Sequence, residues 1–246
     1  MKQLEGKTAL VTGGSRGIGA AIAQRLAREG AQVALTYKAS PEKAAGVVKA
    51  IEAQNGRAIA IEADSADPRA MVNAVETTVR ELGRLDVLVN NAGIGVYKDI
   101  SEFTVNDFDA IVAVNIRAVF MAVTSALPHL KSGSRIITIG SCQAERMPGP
   151  GGALYAMSKS ALVGFTKGIA RDLGPKGITA NLVHPGPVDT DMNPANGPAA
   201  DFQRSLMAVD TFGTGDEVAA MVVYLAGPES RYITGAGFLI DGGTNI

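Results

Sequence analysis

Short apolar segments alternate with helical patterns along the whole sequence, and this alternation limits the folds that the chain can adopt. Most of the apolar segments are rich in β-branched residues, which is typical of strands that are buried on both faces. Strand–helix–strand repetition predicts right-handed crossovers and a parallel sheet that is covered by helices on both sides.

The predicted strands are Thr8–Thr12, Gln32–Tyr37, Ala58–Ala63, Asp86–Asn90, Arg135–Gly140, Thr179–His184 and Phe238–Ile240. The predicted helices are Gly17–Glu29, Pro41–Gln54, Pro68–Leu82, Val105–Leu127 and Leu154–Leu173. The prolines at 41 and 68 each follow a polar residue, which is typical of a helix start. We predict an α/β fold with one domain over residues 1–246: a single-domain Rossmann fold with a seven-stranded, parallel, doubly wound sheet flanked by helices.

Residues 185–198 interrupt the alternation, because prolines and glycines are concentrated there and no helical pattern follows the sixth strand directly. A segment of this length is too long for an ordinary connection. It is either a disordered excursion or a lid over a pocket beyond the carboxyl end of the strand. We favour a substrate lid near residues 187–212.

The composition excludes several classes of protein. One cysteine allows no internal disulfide, and with only two histidines the chain has too few ligands for a dedicated zinc site, so we expect no metal. A formal charge of −1 gives no electrostatic reason to expect nucleic acid or an anionic membrane as a partner. The N-terminal residues do not resemble a signal peptide, and we find no apolar run near the ~18 residues of a membrane span. We therefore expect a cytoplasmic protein.

A glycine-rich loop follows the first strand and opens the first helix, with the sequence Gly13-Gly14-Ser15-Arg16-Gly17-Ile18-Gly19. Such a junction directs backbone N–H groups and the positive end of a helix at an anion, and dinucleotide pyrophosphate is the usual one. The spacing matches neither G-x-G-x-x-G nor a P-loop. A purely structural turn is the alternative interpretation.

The same loop also matches G-x-S-x-G, the nucleophile elbow of hydrolases, with Ser15 as the nucleophile. Two features disfavour this alternative. Only fourteen residues precede Ser15, which leaves no earlier strand for an oxyanion-hole loop, and His184 directly follows a strand and precedes a proline. Labelling of Ser15 by a fluorophosphonate would distinguish the two interpretations.

The end of the second strand indicates which dinucleotide is bound. An acidic residue there selects NAD by bonding the adenine ribose, but the sequence from Leu35 to Ser40 has no acid. It has Lys38 with the hydroxyls of Thr36 and Ser40, and Arg16 lies in the glycine loop. These groups attract a 2′-phosphate, so we predict NADP(H); the alternative is that both cations are merely solvated.

Tyr155 and Lys159 are four residues apart at the start of a helical pattern, so they share one helix face. A cation near a phenol stabilises the phenolate, and we expect Lys159 to lower the pKa of Tyr155 towards the range of an acid–base catalyst. This spacing is common by chance and is weak evidence alone.

Several motifs occur in a fixed order: the glycine loop, Asn90-Asn91-Ala92-Gly93, Asn115, Ser141, the Tyr155/Lys159 pair and Pro185-Gly186. Over essentially its whole length the chain resembles the short-chain dehydrogenase/reductase family, and in particular its 3-oxoacyl-carrier-protein-reductase relatives. The resemblance implies an NADP(H)-dependent oxidoreductase that transfers a hydride between nicotinamide and a ketone or secondary alcohol.

The resemblance also implies roles for individual residues. Tyr155 would exchange a proton with the substrate oxygen, Lys159 would bind the nicotinamide ribose and depress the Tyr155 pKa, Ser141 would bond the reacting oxygen, and Asn115 would hold a proton-relaying water. The implied cofactor contacts are Gly13, Ser15, Arg16, Gly17, Ile18, Gly19, Lys38, Asp64, Ser65, Asn91, Ala92, Gly93, Tyr155, Lys159, Pro185, Gly186, Val188 and Thr190.

A narrower resemblance keeps a second function open. The segments around Arg146-Met147-Pro148 and from Pro185 to Pro198 resemble those of a cyclic-di-GMP-binding biofilm-dispersal member of the same family. Fold alone does not separate a reductase from a nucleotide-binding signalling protein. The apolar helices near 105–127 and 154–173 resemble those that join subunits in this family, so we expect a homotetramer acting on a small-molecule substrate.

Overall fold

The computed structural model describes residues 2–246 and contains one seven-stranded sheet. The strands are β1 Thr8–Val11, β2 Gln32–Tyr37, β3 Ala58–Glu62, β4 Val87–Asn90, β5 Arg135–Ile139, β6 Thr179–Pro185 and β7 Gly237–Ile240. Their order is β3-β2-β1-β4-β5-β6-β7, and all neighbouring strands are parallel. The predicted parallel, doubly wound sheet is confirmed, with strand ends within one residue of the predicted ones.

The helices cover both faces of this sheet. They are α1 Gly17–Arg28, α2 Pro41–Glu52, α3 Pro68–Leu82, α4 Val105–Ile111, α5 Ala118–Ala126, α6 Ala153–Leu173, α7 Ala200–Leu206 and α8 Gly215–Ala226. Pro41 and Pro68 occupy the first positions of α2 and α3. The Asp67 side chain caps α3 by accepting a hydrogen bond from the backbone N–H of Arg69.

The alternation of side chains along β1 explains why the strands are apolar throughout. Ala9 and Val11 point into a core that is shared with α1, α2 and α8. Leu10 points to the opposite face and packs in a core with residues of α3, α5 and α6. Every β1 residue is buried, so this strand does not alternate between apolar and polar side chains as a half-exposed strand would.

The prediction of one regular helix over Val105–Leu127 is wrong. A π-helical segment, Val112–Arg117, separates α4 from α5 and holds Asn115 in its centre. Single π turns of this kind are found frequently at functional sites. One extra residue in a helical turn barely changes the spacing of apolar residues. The sequence pattern therefore predicts a continuous α-helix across the π turn.

The sequence pattern also leaves α7 and α8 unassigned, although a parallel crossover from β6 to β7 requires a helix. α8 begins with a capping box, in which Thr214 accepts from the Glu217 backbone N–H and the Glu217 carboxylate accepts from the Thr214 backbone N–H. That pair was readable from the sequence as a helix start.

The segment between β6 and α8 is folded rather than a disordered excursion. Asp189 accepts a hydrogen bond from the Ala195 N–H at 2.9 Å. The side-chain amides of Asn193 and Gln203 bond each other in both directions at 2.8 Å. These contacts tie the loop to α7, so the two form one compact unit above the carboxyl edge of the sheet.

One stretch, Val105–Ala126, is long and apolar enough to cross a membrane by length and composition alone, contrary to our expectation of no such run. Core helices of soluble proteins pass the same test. Within the fold this stretch packs against α3, β4 and α6, as a core helix does.

Candidate active site

The predicted site residues follow strands that all end at the same edge of the sheet. The glycine loop follows β1, Asn91 follows β4, Ser141 follows β5 and Gly186 follows β6. Ligands of doubly wound sheets bind at the carboxyl edge, where the strand order reverses beside β1. The reversal here lies between β1 and β4.

The glycine loop requires its glycines for specific reasons. Gly13 and Gly17 have φ angles of 65° and 54°, which favour residues without a Cβ atom. A Cβ on Gly19 would collide with the Gly13 carbonyl and the Asn91 side-chain amide. Arg16 precedes α1 without capping it through its side chain, which leaves the first N–H groups of that helix for a ligand.

Thr12 joins the glycine loop to the turn after β4, and sequence reasoning missed this role. Its Oγ1 accepts hydrogen bonds from the N–H groups of Asn91 and Ala92, both at 3.0 Å. The Asn91 side-chain amide in turn donates to the carbonyls of Thr12 and Gly13 at 2.9 and 3.0 Å. The available signal in the sequence was the position of Thr12 at the end of an apolar strand, directly before Gly13.

Thr36 does not have the role that the sequence predicted. It is buried, and its Oγ1 accepts a hydrogen bond from the Gly13 N–H at 2.9 Å. The hydroxyl therefore braces the glycine loop instead of facing a 2′-phosphate.

Lys38 is exposed and forms an ion pair with Asp64, with 2.8 Å between Nζ and Oδ2. The hydrogen bond from Lys38 is the main reason that the pKa of Asp64 lies below its ordinary value. Asp64 also accepts a hydrogen bond from the Ala66 N–H, and Ser65 is half-buried beside it. The predicted cofactor residues after β2 and β3 therefore contact each other.

A further cation, Lys43, lies in the first turn of α2 and was not predicted. Its Nζ is 2.6 Å from Oδ2 of Asp191, and Arg16 lies 3.9 Å from the same oxygen. The segment that we interpret as a lid is thus linked by charge to both the glycine loop and α2. No spacing in the sequence indicates a contact between residues so far apart.

Tyr155 and Lys159 lie on successive turns of α6. Lys159 Nζ is 5.7 Å from the centroid of the Tyr155 ring and donates a hydrogen bond to the Ile139 carbonyl at 2.9 Å. The Lys159 side chain is buried, and this burial lowers the pKa of its ammonium group to about 8. The end of β5 therefore fixes the cation beside the phenol.

The expected lowering of the Tyr155 pKa is not found in the protein alone. Loss of hydration raises the pKa of the phenol above its ordinary value of about 10, and the neighbouring Ser141 hydroxyl opposes only part of this rise. Lys159 is not among the groups that shift it. The Lys159 ammonium donates its hydrogen bond to the Ile139 carbonyl and does not offset the desolvation of the phenol.

Ser141 follows β5 in an extended conformation and caps a short 3₁₀ turn, Cys142–Ala144. Its Oγ accepts a hydrogen bond from the Gln143 N–H at 3.2 Å. The Gln143 side chain accepts from the Tyr97 hydroxyl at 3.3 Å, and the Tyr97 ring lies 5.7 Å from that of Tyr155. Tyr97 therefore forms a wall beside the predicted reacting groups.

Asn115 is almost fully bonded to the protein. Its Oδ1 accepts from the Ile94 N–H, and its amide donates to the Ile94 carbonyl and to Ser158 Oγ, each at 2.9 Å. A Cβ on Gly93 would lie 3.5 Å from both Asn115 Oδ1 and Lys159 Nζ. Gly93 thus leaves a space that both side chains border.

The segment after β6 closes the remaining side of the site. A Cβ on Gly186, which follows Pro185, would collide with Asp241, at 2.6 Å from its Cα atom. Val188 is buried, and Thr190 lies against the glycine loop, with its Cγ2 atom 3.3 Å from where a Cβ on Gly17 would be. The predicted cofactor residues of this segment therefore face those of the loop.

The hydrolase alternative gains no support. His184 bonds to the backbone of Ser141 and His129 contacts Glu76, so neither histidine partners Ser15. Within residues 2–246, no group of three or more potential metal ligands comes together.

A parallel sheet with a glycine loop at the strand-order reversal and a tyrosine–lysine pair at the same edge defines an oxidoreductase of the dinucleotide-binding type. A family model described as enoyl-(acyl carrier protein) reductase matches residues 13–245. The chain belongs to the short-chain dehydrogenase/reductase family of oxidoreductases.

Individual relatives extend this assignment. The chain is 48% identical over 242 residues to the cyclic-di-GMP-binding biofilm dispersal mediator protein of Escherichia coli, with 98% of both chains covered. It is 39% identical over 249 residues to the hydroxynaphthalene reductase arp2 of Aspergillus fumigatus, covering 96% of this chain and 91% of the relative. A short-chain dehydrogenase from Burkholderia cenocepacia, solved in complex with NADP, is 57% identical with a TM-score of 0.98, covering 99% of this chain and 100% of the other.

Proposed function

We propose that this protein is an NADP(H)-dependent reductase that interconverts ketones and secondary alcohols. The observation that carries the proposal is the placement of Tyr155 and Lys159 on one face of α6, beside Ser141 at the carboxyl edge of the sheet. An acid, a cation and a hydrogen-bond donor in this arrangement suit proton transfer to a carbonyl oxygen.

The residues at the sheet edge fit a dinucleotide. Gly13 packs its backbone against Ala92, where a Cβ would lie 3.0 Å from the Ala92 Cα atom, so the loop stays thin enough for a pyrophosphate to approach the start of α1. The proposed cofactor contacts are Gly13, Ser15, Arg16, Gly17, Ile18, Gly19, Lys38, Asp64, Ser65, Asn91, Ala92, Gly93, Tyr155, Lys159, Pro185, Gly186, Val188 and Thr190. The bound nicotinamide would supply or accept the hydride.

The side chains divide the proton chemistry between them. Tyr155 donates its phenol proton to the carbonyl oxygen as that oxygen gains negative charge, and Ser141 Oγ donates a hydrogen bond to the same oxygen. The Lys159 ammonium stabilises the phenolate that remains, because opposite charges attract strongly where water is scarce. Lys159 would then pass a proton to the phenolate and restore Tyr155, and a water held by Asn115 in the space beside Gly93 would return a proton to Lys159.

The decisive experiment follows NADPH oxidation with a panel of aliphatic and aromatic ketones, in the wild type and in Tyr155→Phe. Removing the phenol oxygen should lower kcat by about 10² to 10⁴-fold, because that is the usual contribution of a general acid. The Kd for NADPH should change less than about threefold. Wild-type turnover in Tyr155→Phe would remove this side chain from the reaction and with it the proposal.

Aromatic ketones belong in the panel because exposed apolar side chains surround residues 147–152, the segment just before the helix turn that holds Tyr155. Tyr97, Met147 and Phe202 are all substantially exposed, and Tyr97 and Met147 both contact the backbone position of Gly152. Apolar rings and thioethers favour an apolar substituent on the carbonyl carbon. The segment near 187–212 is the proposed lid over this substituent.

Preference for NADP(H) over NAD(H) rests on charge. Arg16, Lys38 and Lys43 gather where β2 ends and α1 and α2 begin, although Asp64 and Asp191 neutralise part of that charge. A 2′-phosphate would attract these cations, whereas the ribose hydroxyl of NAD would not. We expect a Kd for NADPH several-fold below that for NADH, measured by fluorescence titration; equal values would contradict the preference.

A second candidate function is cyclic-di-GMP binding. It is favoured by the name of the Escherichia coli relative and by the coverage of 98% of both chains. Calorimetric titration with cyclic di-GMP, with and without NADP, tests it directly. Binding with a Kd in the micromolar range or below would establish a signalling role beside the reductase activity.

We also propose a homotetramer that works in the cytoplasm. A groove of about 320 Å³ runs between the π-helical segment, α5 and α6, and Phe120 and Phe165 line it. Phe120 is 50% exposed and its ring lies 6.3 Å from that of Phe165, so the two rings form an apolar patch and not a single exposed side chain. Sedimentation velocity measures the assembly, and cell fractionation tests the compartment.

A further inference from the structure

His184 lies at the end of β6, directly beside the predicted reacting groups, and the proposed chemistry does not use it. Its side chain is 1% exposed. The ring lies between two glycines: a Cβ on Gly140 would collide with it, and a Cβ on Gly237 would lie 2.9 Å from Nε2. The imidazole therefore occupies a space between the residue after β5 and the first residue of β7, where only glycines fit beside it.

The ring contacts the backbone of Ser141. His184 Nδ1 is 3.2 Å from the Ser141 nitrogen and 3.0 Å from the Ser141 oxygen. That oxygen already accepts a hydrogen bond from the Ala144 N–H at 3.0 Å. The Ser141 N–H is therefore the group that requires His184 as its hydrogen-bond acceptor. We assign the tautomer with a lone pair on Nδ1, which accepts this hydrogen bond.

The sheet itself holds the chain only up to Gly140. The Gly140 N–H donates to the Val183 carbonyl at 2.7 Å. The neighbouring strand then continues with Pro185, which has no N–H group to donate, and β4 has already ended at Asn90. Backbone hydrogen bonds between strands therefore do not hold Ser141 in place, and a side chain is needed to do so.

Burial also favours the form of the ring that can accept a hydrogen bond. Desolvation lowers the pKa of His184, and Lys159 adds to that effect; the Ser141 carbonyl, which would accept a hydrogen bond from a protonated ring, and Glu145 oppose it. The ring is therefore neutral near pH 7, and one of its nitrogens has a free lone pair.

We propose that His184 is a positioning residue for Ser141. Its Nδ1 fixes the backbone from which the Ser141 hydroxyl reaches the reacting oxygen. This inference rests on the proposed function, because it needs Ser141 to act on the substrate. Displacement of a reacting group by about 1 Å lowers rates by about 10²-fold, so a backbone contact of this kind affects turnover without touching the substrate.

Two amide substitutions separate this role from simple packing. In His184→Asn the side-chain oxygen takes the place of Nδ1, whereas in His184→Gln the amide reaches the place of Nε2. We expect H184Q to lower kcat by about tenfold or more and H184N to remain within about threefold of the wild type. The Kd for NADPH should change less than about threefold in both, because the His184 ring is buried against Gly140, Ser141 and Gly237, which are not proposed cofactor contacts.

A double-mutant cycle with Ser141→Ala makes the test specific. If His184 acts through Ser141, H184Q should lower kcat little further in the S141A background. A full additional loss there, or equal loss in H184N and H184Q, would show a packing role and overturn the proposal. Should H184Q fail to fold, Gly237→Ala displaces the ring through Nε2, and wild-type kcat in that variant would also overturn it.

The controls distinguish this proposal from the proposed function. Tyr155→Phe and S141A must each lower turnover for the reductase assignment to stand. If they do and H184Q behaves as the wild type, only the role of His184 is wrong. If they do not, the assignment itself fails, whatever the histidine variants show.

Discussion

At the scale of single residues, the site contains an ammonium group that the fold holds at a cost in stability. Lys159 is buried, and its hydrogen bond is to a neutral carbonyl rather than to a carboxylate. Burial lowers its pKa to about 8, whereas a lysine in an unfolded chain has a pKa of about 10.4. The unfolded chain therefore binds this proton more readily than the folded one.

Lys159→Met should accordingly stabilise the protein at pH 7 while removing activity. Below pH 8 the folded protein must keep Lys159 charged and buried, which lowers its free energy of unfolding. This loss is fully present at pH 7. It declines as the pH rises from about 8 to about 10, because the folded protein then holds a neutral lysine. We expect the variant to gain about 1–3 kcal/mol in free energy of unfolding at pH 7 and less at pH 10.

Chemical denaturation of both proteins at pH 7 and pH 10 measures this difference. Lys49→Met, at an exposed position of α2, is the control and should change little at either pH. A lower stability of K159M at pH 7 would show that the bond to the Ile139 carbonyl outweighs the cost of burial.

At the scale of elements, strand β1 and the residue after it offer a matched pair of threonines. Thr12 and Thr8 are 4% and 0% exposed. Thr12 Oγ1 accepts two backbone hydrogen bonds from the turn after β4, whereas Thr8 Oγ1 is buried without a partner. The two hydroxyls have the same chemistry but opposite expected effects on stability.

Thr12→Val should lower the free energy of unfolding by about 1–3 kcal/mol, because two partly buried N–H groups lose their acceptor. It should also weaken NADPH binding, since the glycine loop and the Asn91 turn lose their connection. Thr8→Val should be neutral or slightly stabilising. Urea denaturation of the two variants checks the contrast, and equal losses would contradict the assigned role of Thr12.

The elements also show what the sequence can and cannot predict. The β1-to-β6 strands, the glycine loop and the order of the motifs follow from local apolar runs and turn residues, which are written in consecutive positions. The π turn at Asn115 and the Lys43–Asp191 contact do not. The first depends on one extra residue in a helical turn, and the second on segments that only tertiary folding brings together. Thr36 was misread because a strand-end hydroxyl has two possible partners, and only the fold selects one.

At the scale of the whole molecule, an apolar helical face lacks a partner within one chain. Phe120 and Phe165 lie 6.3 Å apart between ring centroids, and both border the groove beside the π-helical segment. A second copy of the chain would remove these rings from water. The buried face of α5 packs in the core of the subunit, and its exposed face, which carries Phe120, would pack against the second copy.

Phe120→Glu should divide the assembly into smaller species without unfolding the subunit, because the replaced side chain is half-exposed in the single chain. Sedimentation velocity at micromolar concentration should show a lower mass, with an unchanged circular dichroism spectrum. Lys49→Glu changes the charge on α2 and should leave the mass as in the wild type. A wild-type assembly in F120E would place the subunit contact elsewhere.

The space beside Gly93 has a consequence for the timing of catalysis. A methyl group there would lie 3.5 Å from Asn115 Oδ1 and Lys159 Nζ, an ordinary contact distance, so Gly93→Ala should fold normally. Because Gly93 is also a proposed cofactor contact, the comparison is made at saturating NADPH; there the methyl group should leave the phenol proton in place for the first hydride transfer and slow the replacement of that proton. Rapid mixing would then show a burst of one equivalent of oxidised cofactor per subunit, followed by a slower phase with a large solvent deuterium isotope effect.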